Sequence, residues 1–310
     1  MKTVTVLGCT GSIGCSTVDL LHQAGEEVGV RVLVGGRNVS LLAEQAKALR
    51  AEQAVIADET LVPELKSLLA GTDVAVSGGR AAVIEAAGVP ADWTMAAITG
   101  AAGLEPTLAA ARNGRTVALA HKEALVCAGD VMLRAVKDAK ATLLPVDSEH
   151  NAVFQAMADR QEDQVEKIIL TASGGPFRNA TIEQMEAATP AQALKHPTWT
   201  MGAKISIDSA SMFNKGLEVI EAARIFGLTE DRIGVLVHPQ SVVHGLVQYT
   251  DGSLIAQMGS ADMPIPIAHC LAWPKRMATT SPRLDLADFG TPVSEQPDAV
   301  RFPALRLARQ

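Results

Sequence analysis

Seven short apolar runs recur through the first 146 residues: TVTVLG, VRVLVG, AVIA, DVAVS, WTMAAI, TVALA and ATLLPV. Each is nearly continuous rather than alternating, and Ala- and Leu-rich stretches of helical character lie between them. Continuous apolar strands are buried on both faces, so the alternation predicts a parallel sheet covered by helices. Right-handed crossovers make it a doubly wound α/β domain.

After residue 150 the rhythm changes. QVEKIILTAS reads as one strand, KISIDS leads into a helical run from 210 to 226, and IGVLVHP, VVHGLVQYTDG and SLIAQMG follow closely. YTDGS places a D-G turn between two alternating runs, which predicts a hairpin. The expected fold class is therefore α/β, a Rossmann-like parallel sheet followed by an α+β domain with a mixed sheet. The boundaries expected are 1–146, 147–272, a proline-rich linker over 273–300, and 301–310 as the start of a further helical domain. FPALRLARQ begins a helix at Pro303 and ends without a stop signal.

One strand end carries chemistry. LLPVDSEHNAVFQA stops an apolar run and at once places Asp147, Ser148, Glu149 and His150. In an extended chain residues two apart face one side, so Asp147 and Glu149 point together beyond the carboxyl end of a parallel strand, where such sheets bind ligands. Carboxylates that close need a cation or a proton between them, and an oxygen donor set suits Mg²⁺ or Mn²⁺. A polar turn with Ser148 as a helix cap is the competing reading. Glu218 offers a third ligand. It shares a helix face with Lys215, three residues before it, although the same spacing fits a surface salt bridge. Ser209, Ser211 and Asn214 gather hydroxyls and an amide nearby, and Ser173 stands beside two glycines in TASGGPF, a second anion cradle. In ALKHPTWTMG, Trp199 and Met201 are placed to close over a ligand and exclude water, with the core as the alternative for Trp199, and His196 is the functional candidate there. His238 and His244, among strand residues, read as core histidines.

At the N-terminus, glycines 8, 11 and 14 lie between a strand and a helix, spaced to let backbone approach a pyrophosphate. The second strand ends in Gly35, Gly36 and Arg37 rather than in the acidic residue that grips a ribose hydroxyl, which favours the 2′-phosphate of NADPH; Arg37 as an ordinary surface residue is the alternative.

Composition narrows the class. The 310 residues are 48% hydrophobic with a net charge of −7, enough apolar material for two cores and the wrong sign for non-specific nucleic-acid binding. Four scattered cysteines form no disulfide framework. With no signal-like segment before the first strand and no apolar stretch of membrane-spanning length, the expectation is a cytoplasmic protein that needs neither membrane nor nucleic acid.

Taken together, TGSIG, PVDSEHNAVFQ, SGGPFR, HPTWTMGAKISIDSASMFNKGLEVIEA, HPQSVVHG and MPIPIAHCLAWP resemble the 1-deoxy-D-xylulose 5-phosphate reductoisomerase family, almost from residue 4 to 310. The resemblance implies an enzyme that uses NADPH and a divalent metal to turn a keto-pentose phosphate into 2-C-methyl-D-erythritol 4-phosphate in isoprenoid synthesis, as a homodimer. It implies metal ligands Asp147, Glu149 and Glu218, and substrate contacts at Ser148, Ser173, Ser209, Asn214 and Lys215. His196, Trp199 and Met201 match a mobile flap, and Lys122 a lysine beside the metal. Cofactor contacts are implied at Thr10, Gly11, Ser12, Ile13, Gly36, Arg37, Asn38, His121, Glu123, Met201, Gly202 and Met263. His121 stands where the family has asparagine, and Cys9 where serine is common. The family also continues into a C-terminal helical domain absent here, so a form that only binds NADPH or sugar phosphate is the alternative. A semialdehyde or homoserine dehydrogenase is the rival enzyme class; it would not need the acidic triad.

Overall fold

The computed structural model describes residues 1–157, 162–199 and 201–310. Along the first half run β1 (Lys2–Leu7), α1 (Ser12–Ala24), β2 (Val28–Gly35), α2 (Val39–Ala48), β3 (Gln53–Ile56), α3 (Val62–Leu68), β4 (Ala75–Gly78), α4 (Arg80–Ala87), β5 (Trp93–Ala96), α5 (Leu104–Ala111), β6 (Thr116–Leu119), α6 (Glu123–Ala139) and β7 (Thr142–Pro145). The second half runs α7 (Ser148–Ala156), β8 (Val165–Ala172), α8 (Ile182–Glu186), α9 (Pro190–Ala193), α10 (Ala203–Ala210), α11 (Phe213–Phe226), β9 (Ile233–Val237), β10 (Val243–Tyr249), β11 (Leu254–Met258), α12 (Pro264–Ala272), α13 (Leu286–Phe289) and α14 (Ala304–Ala308). Two compact units result, Met1–Asp147 with Met263–Thr279, and Ser148–Asp262 with Thr280–Gln310.

The first unit is a seven-stranded parallel sheet in the order β4-β3-β2-β1-β5-β6-β7. All seven apolar runs became its strands, because Val4, Val6, Leu33, Val55, Met95 and Leu119 are buried with helices over both faces. The order reverses at β1, the point where such sheets bind ligands. α12 belongs here too: the Trp93 indole donates to the Cys270 carbonyl at 3.0 Å and the Cys270 thiol to that of Pro145 at 3.2 Å. The sequence reading ran the second domain through 272, but an apolar helix with Ile267, Ala268, Cys270 and Leu271 buried finds its cover in the first unit.

The second unit carries a four-stranded mixed sheet, β11-β10-β8-β9. β8 and β9 are parallel, whereas β10 runs antiparallel to both β8 and β11. The hairpin at YTDGS forms as expected, with Gly252 at φ +88°. α7 and α11 cover one core through Val153, Ile168, Leu170, Val219, Phe226 and Val247. Two local expectations fail. The VDSEH stretch is not extended, because α7 starts at Ser148. The helical run from 210 is two helices, α10 already taking up KISIDS, with Met212 between them at φ +57°. Within 273–300 the chain forms α13 and, at Glu295, an antiparallel bridge to Val237.

Candidate functional site

In the first unit the chain leaves β1 through Gly8 at φ +89°, where an added Cβ would lie 2.7 Å from the Ala97 carbonyl oxygen. Only glycine fits two strand exits so close. The Gly8 and Cys9 amides then donate to the Val34 carbonyl at 2.8 and 2.9 Å. α1 starts at Ser12 after Gly11 with no side chain capping it, so no side chain takes up the first amides, around Ser12 and Ile13, the groups a helix start offers to an anion. The methyl of Thr10 lies 3.2 Å from where a Cβ of Gly35 would be, and Gly36 borders open space. Glycine loop and β2 exit therefore make one surface. Arg37 projects from it, its guanidinium 3.2 Å from Asp58, and Asn38 caps α2 by accepting the Leu41 amide at 3.2 Å.

His121 and Lys122 follow β6, and Glu123 opens α6. His121 is buried, its Nε2 2.9 Å from the Thr107 hydroxyl, and burial pulls its pKa down to about 4 against the opposing pull of Glu123. Lys122 Nζ lies 2.6 Å from Asp147 Oδ2. Met263 is half-buried at the N-terminus of α12.

In the second unit Gly245 of β10 lets α7 press onto the sheet; a Cβ there would meet the Glu149 carbonyl at 2.9 Å. The Ser148 hydroxyl donates to Glu149 Oε2 at 2.7 Å. Lys215 Nζ donates to Glu149 Oε1 at 2.8 Å and also to Glu218 Oε2, while Asn214 Nδ2 donates to Glu218 Oε1. Lys215 is only 4% exposed and Glu218 0%, so this is no surface salt bridge. Burial alone would lower the Lys215 pKa, but Glu149 and Glu218 outweigh it and hold the ammonium above its ordinary value. Oxygens of the two carboxylates lie within 4.8 Å of one another, a spacing that needs a cation. Asp147 precedes Glu149 by two residues in the chain.

The Ser173 hydroxyl oxygen accepts from the Gly175 amide at 3.2 Å and lies 2.8 Å from His196 Nε2. His196 Nδ1 accepts two amides, Thr198 at 3.1 Å and Trp199 at 2.9 Å. An acceptor at Nδ1 puts the ring proton on Nε2, so the imidazole is neutral and donates to Ser173. The Ser173 oxygen then accepts two bonds and keeps its own proton to donate. Burial lowers the His196 pKa, in keeping with the neutral ring. Gly175 at φ +66° brings its loop against Ser209, whose carbonyl oxygen would lie 2.7 Å from a Cβ. Trp199 is half-buried and packs edge-on to His244 at 6.0 Å between ring centroids, and His244 Nε2 lies 3.2 Å from the Gly259 carbonyl oxygen. Met201 and the exposed Gly202 lead into α10, and Thr200 lies outside the described residues. Ser211 closes the turn before α11, donating to the Asp208 carbonyl at 3.2 Å.

Sequence reasoning left His150 and Glu221 without a role. His150 is buried with Nδ1 3.3 Å from Glu221 Oε2 and Nε2 2.9 Å from the Glu218 carbonyl oxygen, tying α7 to α11 directly behind the carboxylates. Glu221 follows Glu218 by one helical turn, a spacing visible in sequence, but only the fold supplies its partner.

A parallel sheet with a glycine-lined exit at its switch point, joined to a unit holding buried carboxylates about a lysine, defines an oxidoreductase of the dinucleotide-fold class. Comparison narrows this. Profiles described as 1-deoxy-D-xylulose 5-phosphate reductoisomerase match residues 4–129, and as its C-terminal domain residues 143–226 and 258–310. The reductoisomerase of Gluconobacter oxydans is 72% identical over 309 residues, all of this chain and 76% of the relative, and that of Rhodospirillum centenum is 58% identical. The solved reductoisomerase from Zymomonas mobilis in complex with NADPH superposes with a TM-score of 0.95 at 53% identity, over 99% of this chain and 80% of the other. Another, in complex with NADPH, fosmidomycin and magnesium, gives 0.95 at 42%, over 100% and 79%. A homoserine dehydrogenase from Archaeoglobus fulgidus, at 12% identity and 0.53, shares the fold alone. The chain belongs to the 1-deoxy-D-xylulose 5-phosphate reductoisomerase family.

Proposed function

We propose that the chain converts 1-deoxy-D-xylulose 5-phosphate to 2-C-methyl-D-erythritol 4-phosphate in the non-mevalonate isoprenoid route, with Asp147, Glu149 and Glu218 as ligands of Mg²⁺ or Mn²⁺. The supporting observation is the Glu149–Lys215–Glu218 set, buried at Lys215 and Glu218 and half-buried at Glu149, which follows Asp147 after β7. Glu149 and Glu218 offer carboxylate oxygens within 4.8 Å of one another, the donors a hard divalent cation takes, and Lys215 meets their charge until one binds. When bound, NADPH supplies the hydride and the cation a Lewis acid.

This chain's residues supply the rest. Gly11, Ser12 and Ile13 offer amides to the pyrophosphate, and Arg37 beside Gly36 and Asn38 meets the 2′-phosphate. Thr10, His121, Glu123, Met201, Gly202 and Met263 complete the dinucleotide contacts. Ser173 presents its hydroxyl proton to the substrate phosphate, joined by Ser209, Asn214, Lys215, Ser148 and His196, while Trp199 excludes water. The carbon skeleton rearranges, most simply by retro-aldol and aldol steps, to an aldehyde that is reduced. Lys122, held by Asp147, and Glu149 are the two groups suited to move the hydroxyl proton.

Residues 1–147 with 263–279 serve as the dinucleotide domain, and 148–262 with 280–310 as the catalytic and dimerisation domain. The working form is a cytoplasmic homodimer. β11, at a sheet edge with Leu254, Ile255 and Met258 exposed, suits pairing with a second copy. Among the described residues no helix is long and apolar enough to cross a membrane.

The test follows NADPH absorbance with 1-deoxy-D-xylulose 5-phosphate, with and without Mn²⁺, beside Asp147→Asn. Mn²⁺-dependent oxidation abolished by the substitution is expected. Equal rates in the two proteins would remove the acidic triad as the metal site.

A further inference from the structure

We propose that residues 291–302 form a brace that sets the geometry of the Ser173–Arg178 loop, with Arg301 as the principal positioning residue for the substrate's phosphate end. The proposal rests on the reading of Ser173 as a phosphate contact.

The loop has little rigidity of its own. Gly174 and Gly175 sit at φ +85° and +66°, and consecutive glycines have the most backbone freedom to lose. Its entry is fixed, since the Ala172 carbonyl accepts the His238 amide at 2.7 Å. Its exit is held by the brace. Arg301 Nη1 donates to the carbonyls of Arg178 at 2.7 Å and Ala180 at 3.2 Å. Asp298 orients that guanidinium, accepting from Nε at 2.8 Å and from the Arg301 amide at 3.0 Å. The brace is itself docked on β9: Val237 and Glu295 exchange backbone bonds of 2.9 Å, and His238 Nδ1 donates to the Val293 carbonyl at 2.7 Å.

A second strut crosses the glycines. The Arg178 stem covers Gly174, whose Cβ would fall 2.6 Å from Arg178 Cδ, and its guanidinium reaches Glu295 Oε1 at 2.8 Å. That ion pair is open to solvent and is worth little by itself. The two carbonyls held by one arginine at the loop exit are charge-assisted bonds and count for more. The assignment is therefore to Arg301, with Asp298 behind it and Glu295 as a lesser support. None of these side chains touches the proposed phosphate contacts, so their effect reaches the substrate only through the placement of Ser173.

The experiment is steady-state kinetics of the full chain carrying Arg301→Ala, Arg301→Lys, Glu295→Gln and Ser173→Ala, with inorganic phosphate as a competing inhibitor. For Arg301→Ala the KM for the sugar phosphate and the phosphate inhibition constant should rise together, about tenfold. The KM for NADPH and kcat should stay within about twofold. Arg301→Lys should fall between, because an ammonium can reach the carbonyls but has no second nitrogen to keep the bond that Nε makes to Asp298, and Glu295→Gln should change little. A folded Arg301→Ala enzyme with unchanged sugar-phosphate KM, while Ser173→Ala is impaired, overturns the brace and leaves the substrate reading standing. An unimpaired Ser173→Ala overturns both. Should Arg301→Ala fail to fold, Arg301→Lys decides: a normal KM there overturns the brace.

Discussion

Replacing Lys215 by methionine is the most informative perturbation, because it removes the ammonium that reconciles the half-buried Glu149 with the buried Glu218. Glu149 and Glu218 keep oxygens within 4.8 Å of each other. At an effective dielectric of 20 their repulsion at that distance is about 3.5 kcal/mol. Loss of one partner from a buried ion pair is typically about 3–5 kcal/mol, so the two routes agree. Protonation of one carboxylate caps the cost at about 4 kcal/mol at pH 7. Urea unfolding followed by far-UV CD should show this loss at pH 7. The pH response should change as well. In the native protein Lys215 is held above its ordinary 10.5, so its contribution is full at neutral pH and is lost only as pH rises through the folded-state value. In Lys215→Met a carboxylate with a raised pKa takes over, so stability should increase as pH falls from 7 toward 5. Mn²⁺ at a hundred times its Kd should return about 2.7 kcal/mol to a folded state that binds it. A loss below about 1 kcal/mol, or no response to Mn²⁺, would refute the reading of this set as a cation site balanced by lysine.

Two further outcomes are expected. His121, with a pKa lowered to about 4 by burial, stabilises fully above its unfolded value near 6.5 and less as pH falls from there toward 4. His121→Asn should flatten the stability–pH curve in that window by about 1.4 kcal/mol per unit, and superimposable curves would show that His121 takes up its proton as readily folded as unfolded. Arg37→Ala should raise the KM for NADPH about tenfold or more while leaving that for NADH nearly unchanged; equal effects on both cofactors would remove Arg37 from the 2′-phosphate.

Much of the molecule was legible because burial on both faces of a parallel sheet leaves an unbroken apolar signature, and all seven strands of the first unit carried it. Glu218 and Lys215 were legible as a pair from helical spacing, but their burial was not, since the same spacing suits an exposed salt bridge. The pairing of Asp147 with Glu149 was inferred from an extended backbone that does not exist: α7 begins at Ser148. The alternation argument therefore contributes nothing, and the carboxylates stand on the chemistry of the Glu149–Lys215–Glu218 contacts alone. Met212 at φ +57° was invisible, because a bulky side chain in that region is adopted under tertiary constraint rather than preference. The brace escaped for a related reason. Its prolines and polar residues carry no period, and its order comes from partners far along the chain, 55 residues away for Val293 with His238 and 123 for Arg301 with Arg178.

The interleaving of the two units bears on how the chain is made. The first unit takes in Met263–Thr279, and the buried Trp93 indole N–H donates to the Cys270 carbonyl, 177 residues later. The ribosome therefore delivers the whole parallel sheet long before the helix that seals one side of it. Domains usually fold in order of synthesis, but here the N-terminal half waits with an apolar face uncovered until the second unit's sheet has been translated. The nascent chain is most exposed to misassociation in that interval, and chaperone engagement would be concentrated there.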